Sequence, residues 1–125
     1  MKRKADNAAF DRQDAECVLG PRPTCCITGG QHVDLHHILG RGFDHGARPG
    51  DEERAKFGSL YNCVPLCPEV HHGPMRDSVE MRWLFLRLAA KRVEQAVIYN
   101  GYRMNGRDER FLEFVKIWKE SHPVC

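Results

Sequence analysis

The chain has 125 residues, of which 42% are hydrophobic and 29% charged; that is enough for one compact domain, and too ordinary a balance for a disordered or fibrous protein. It contains no run of about 18 apolar residues to span a bilayer, and the opening Met1-Lys2-Arg3-Lys4-Ala5-Asp6 lacks the apolar stretch of a secretory signal, so a cytoplasmic protein without a membrane partner is expected. The formal charge of +2 decides nothing about partners, and in a reducing compartment six cysteines read as metal ligands or free thiols rather than as disulfides.

In chain order, residues 5–17 suggest a short helix, weakened by Asp6, Asn7, Asp11 and Asp14. Pro21-Arg22-Pro23 forbids regular structure and leads into Cys25-Cys26-Ile27-Thr28-Gly29-Gly30, whose paired glycines mark a turn. The β-branched and apolar residues from Val33 to Leu39 predict a strand that carries His36 and His37. Glycines and Pro49 predict that most of residues 40–61 is irregular, with a helical turn or two between Asp51 and Phe57. A second short strand is expected over Asn62-Cys63-Val64-Pro65-Leu66, with Pro65 tolerable only at an edge or an end.

Pro68 suits the first position of a short helix bearing His71 and His72, which Gly73-Pro74 should stop. A longer helix is predicted from about Ser78 to Tyr99. Its polar face carries Glu80, Arg87, Lys91 and Glu94, and its apolar face Met81, Leu84, Phe85, Leu88 and Ala89. Asn100-Gly101 and Asn105-Gly106 mark breaks, and Asp108 is the expected cap of a last helix with a core stripe of Phe111, Phe114, Val115 and Trp118.

Four of the seven histidines fall in two short segments, Asp34-Leu35-His36-His37-Ile38 and Cys67-Pro68-Glu69-Val70-His71-His72, with Asn62 between them. Neutral imidazole is the commonest protein ligand for divalent ions of intermediate softness, so a pair on a strand and a pair at a helix start can converge on one metal. A single histidine of this kind is more often an ordinary polar residue; the set of His-His, Asn and Cys-x-x-x-His is what carries weight.

In these segments, and in the spacing of nine positions from Asn62 to His71, the sequence resembles the HNH endonuclease family over residues 25–73. The resemblance implies an α+β fold with a ββα-metal core of about residues 25–73, helically extended over about 76–122, as one domain of the small phage or mobile-element type. It implies metal-dependent hydrolysis of DNA phosphodiester bonds, leaving 5′-phosphate and 3′-hydroxyl ends, in the cytoplasm of a bacterial host cell if the gene is phage-borne. His37 would be the general base, His36 and His71 the ligands of one divalent ion (Mg, Mn, Ni or Zn), and Asn62 the brace of the loop that orients His37. His72 and Asp77 are candidate additional ligands, because Met75 stands where the colicin-type members place a further His. Arg41 and Arg48, with Arg76 or Arg82, are expected on DNA phosphates.

Two departures matter. Many members add a structural zinc held by two Cys-x-x-Cys pairs, but Thr28 and Val70 stand where second cysteines would be. Cys26 and Cys67 are the candidates for such a zinc, completed only by rearrangement with Cys63, His32 or His72; the alternative is cysteines packed as small hydrophobes. Because adjacent strand residues point to opposite faces, the strand is also expected to end or twist at His36-His37. The rival to a nuclease is a degenerate HNH-like domain that binds nucleic acid or a protein without cutting.

Overall fold

The computed structural model describes residues 9–39, 55–71 and 78–124. Within them the chain is a mixed α+β protein: α1 (Arg12–Leu19), β1 (Asp34–His37), two 3₁₀ turns (Lys56–Gly58 and Leu60–Asn62), β2 (Cys63–Leu66), the short α2 (Pro68–His71), α3 (Val79–Tyr99) and α4 (Gly106–Ser121). No helix among the described residues is long and apolar enough to cross a membrane.

Helix α1 is shorter at its start and longer at its end than the composition predicts. Asp11, read as a helix weakener, caps it: its Oδ1 accepts the Asp14 N–H at 3.0 Å. Gly20, at φ 85°, takes the left-handed turn that ends it. The two strands pair antiparallel with Asp34 opposite Leu66, Leu35 opposite Pro65, His36 opposite Val64 and His37 opposite Cys63. Pro65 is tolerated because each strand of a two-stranded sheet has an outer side. Its carbonyl meets the Cys26 N–H there at 3.0 Å, and its missing N–H takes nothing from the ladder.

Helix α2 packs on both strands, and α3 packs on β2 and α1. Ser78 caps α3, its Oγ accepting the Met81 N–H at 3.1 Å. The buried stripe of α3 is Phe85, Leu86, Ala89, Val93 and Ala96, a helical repeat of three and four residues. Phe85 and Ala89 were expected in it; Leu84 and Leu88 are only partly buried, and the stripe continues along Val93 and Ala96 instead. The expected polar face of Glu80, Arg87, Lys91 and Glu94 is exposed throughout.

The cap of α4 is Asn105 rather than Asp108. Its side chain accepts the Asp108 N–H and the Asp108 carboxylate accepts the Asn105 N–H, both at 3.1 Å, a reciprocal box that makes Asn105-Gly106 the helix start instead of a break. Asp108 is fully buried, with Oδ1 accepting from Ser59 Oγ at 2.5 Å and Oδ2 from the Tyr102 hydroxyl at 2.6 Å. Phe111, Val115 and Trp118 form the predicted stripe, with Phe114 packed beside it, and α4 closes over both 3₁₀ turns.

Candidate functional site

Alternation along β1 puts Asp34 and His36 on one face and Leu35 and His37 on the other. On the first face, His36 is 8% exposed, between the edge of the His71 ring (centroids 5.1 Å apart) and the Phe85 ring (6.2 Å). His71, on the last turn of α2, presents Nδ1 to Asp34 Oδ2 at 3.2 Å. A carboxylate beside Nδ1 fixes the ring's orientation, as carboxylates commonly do behind metal-binding histidines. Asp34 was quoted in the sequence motif without a role; its place two residues before His36, hence on the same strand face, is the signal that finds it.

His36 and His71 therefore come together, as a shared ion requires. Their donor set of two imidazoles beside one carboxylate fits an ion of intermediate softness. Among the described residues no group of three or more His, Cys, Asp or Glu side chains is placed to hold a metal ion, so His36 and His71 stand as a two-ligand candidate.

His37 lies elsewhere. The ladder is regular through His37, where the strand ends, so no twist brings the two adjacent imidazoles to one side. The His37 ring instead stacks on Phe10, with centroids 4.1 Å apart and planes 16° from parallel. Phe10 also lines a groove of about 820 Å³ on this side, together with Arg12, Arg22, His32, Val33 and Leu35. Glu16 is the acidic side chain among the groove's lining residues.

Asn62, the last residue of the second 3₁₀ turn, is fully buried just before β2. Its Oδ1 accepts the Leu39 N–H at 2.7 Å, and its Nδ2 donates to the carbonyls of Leu39 at 3.0 Å and Phe57 at 2.9 Å. The Asn62 carbonyl also accepts the Ile38 N–H at 3.0 Å. One carboxamide thus ties the backbone just after His37 to the first 3₁₀ turn. His72, Asp77, Arg41, Arg48 and Arg76 lie outside the described residues, and Arg82 is half-buried on α3.

The cysteines sort by environment. Cys25, rather than Cys26, adjoins Cys67: the Thr28 N–H donates to Cys25 Sγ at 3.4 Å and the Thr28 hydroxyl to Cys67 Sγ at 3.6 Å. Burial pushes the Cys25 thiol up, but the Thr28 side chain and the N–H groups of Cys67, Thr28 and Ile27 outweigh it and bring the thiol down to about 6. Burial raises the Cys26 thiol, and pushes Cys63 up to about 12. Thr28 and Val70 stand at the other two zinc positions, so among the described residues Cys25 and Cys67 supply two thiols, and His72, expected as a completing ligand, lies outside the described residues.

No family model, curated protein or solved structure matches this chain.

Proposed function

We propose that this chain is a metal-dependent endonuclease that hydrolyses DNA phosphodiester bonds, with β1, β2 and α2 as a ββα-metal core of the HNH kind. The observation that carries the reading is the meeting of Asp34, His36 and His71 on one face of the sheet, with Asp34 and His71 37 positions apart in the chain. His36 and His71 hold the ion and Asp34 orients His71; when bound, the ion supplies positive charge to a phosphate and its leaving oxygen. Arg12, Arg22 and His32 line the groove on the other face and suit a phosphate backbone. His37 is the last residue of β1 and faces away from His36 and His71. To act as the general base it would turn from Phe10 toward the ion's face and take the proton of the attacking water there, with Asn62 holding the chain that follows it.

The stack of His37 on Phe10, on the face away from His36 and His71, favours the second reading, a domain that binds nucleic acid without cutting. Plasmid nicking in magnesium, manganese, nickel and zinc separates the two. The nuclease reading expects cutting by the parent with at least one ion, and a loss of about a hundredfold or more in His37→Ala. Undiminished cutting in that variant removes His37 as the base. Plasmid retained in a gel shift but intact with every ion establishes the second reading. Asp34→Asn, followed by calorimetric metal titration, is expected to bind the ion about tenfold more weakly.

A further inference from the structure

We infer that Cys25 and Cys67 are a modification site, a dithiol that a hydroperoxide converts to a reversible disulfide joining the turn before β1 to the start of α2. The inference is independent of the nuclease reading and rests on how the two sulfurs are held. Both meet Thr28, one through its N–H at 3.4 Å and the other through its hydroxyl at 3.6 Å. The Cys67 backbone is also among the groups that favour the Cys25 thiolate. The turn also runs close along Cys67. The Gly30 carbonyl accepts the Cys25 N–H at 2.8 Å, and a Cβ on Gly30 would stand 3.9 Å from the Cys67 Cβ.

Of the other described thiols, Cys26 follows Cys25 directly and is raised by burial, Cys63 is 1% exposed in β2 opposite His37, and the Cys17 thiol donates to the Asn100 carbonyl at 3.4 Å, at the far end of α3. Cys25 is the first nucleophile, because donors converge on its sulfur and favour the thiolate that attacks peroxide. Its sulfur displaces hydroxide from hydrogen peroxide and becomes a sulfenic acid. The Cys67 sulfur then attacks that sulfur, the S–O bond breaks, and the oxygen leaves as water with the Cys67 proton. Two thiols and one peroxide give one disulfide and two waters: each sulfur is oxidised by one electron and the peroxide is reduced by two. A dithiol reductant reverses the bond by exchange.

The bond would act on the candidate metal side, since the Cys67 carbonyl accepts the His71 N–H at 2.8 Å, one helical turn away. The test exposes the reduced full chain to a small excess of hydrogen peroxide, blocks remaining thiols with N-ethylmaleimide, and maps peptides by mass spectrometry without reduction. The expected result is two fewer maleimide adducts per chain and one cross-linked peptide pair joining Cys25 to Cys67. Dithiothreitol should abolish that pair, and Cys25→Ser and Cys67→Ser should not form it. Because either variant can fail to fold, the map of the parent is decisive. A dominant disulfide through Cys26 or Cys63, or Cys25 over-oxidised to sulfinic acid with no cross-link, overturns the inference.

Discussion

At the scale of single residues, two side chains do more than their burial suggests. Asn62 satisfies three backbone groups that have no other partner described for them, the Leu39 N–H and the carbonyls of Leu39 and Phe57. Truncation leaves those groups in a site with no solvent contact, and unsatisfied buried groups cost about 1–3 kcal/mol each. Asn62→Ala should therefore lower the urea unfolding free energy by about 3 kcal/mol. It should also reduce any nicking, because the chain leaving His37 loses its tether. Cys25 is the second case. With its thiol brought down to about 6, the folded state already holds the anion at neutral pH, where an unfolded thiol near 8.5 is still protonated. The fold gains stability as pH rises between those values; the gain is complete above the unfolded pKa and is lost as pH falls through about 6. Iodoacetamide labelling of the native protein should show Cys25 reacting with a midpoint near pH 6. Cys63, pushed up to about 12, should stay unlabelled below pH 9.

At the scale of elements, the long periodic segments were readable and the ends were not. Helix α3 and the stripe of α4 follow from a 3.6-residue repeat summed over several turns, which tolerates errors at individual positions. Caps hang on one side chain, and Asp11, Asn105 and Asp108 are chemically too similar for composition to rank them; Asp108 turned out to be the third residue of its helix, facing inward. The strands were placed within a residue or two, and of the two outcomes expected at His36-His37 the strand ends there rather than twisting, with its ladder to β2 regular up to His37. The side-chain partner of Asp34 was illegible because it comes from α2, 37 positions along the chain. The Ser59 contact of Asp108 is likewise non-local, 49 positions away. Asp108→Ala leaves two buried hydroxyls without their acceptor and removes half of the capping box. It should destabilise the fold by about 3 kcal/mol or more, measured by thermal or urea unfolding.

At the scale of the whole molecule, one thin two-stranded sheet separates a histidine-carboxylate cluster on one face from a groove bearing arginines on the other. If nucleic acid lies in that groove, Arg12→Ala combined with Arg22→Ala should weaken DNA binding without altering metal affinity. The slope of log affinity against log salt should fall by about two, one for each lost phosphate contact. Gel shifts at several salt concentrations, paired with metal titration of the same variant, measure both. The bracing by Asn62 has one more consequence. Since a single carboxamide clamps Leu39 on one side and Phe57 on the other, the two ends of the intervening sequence are fixed by something outside it. Losing that clamp would release both ends at once, so one substitution would act on the exit from β1 and on the first 3₁₀ turn together.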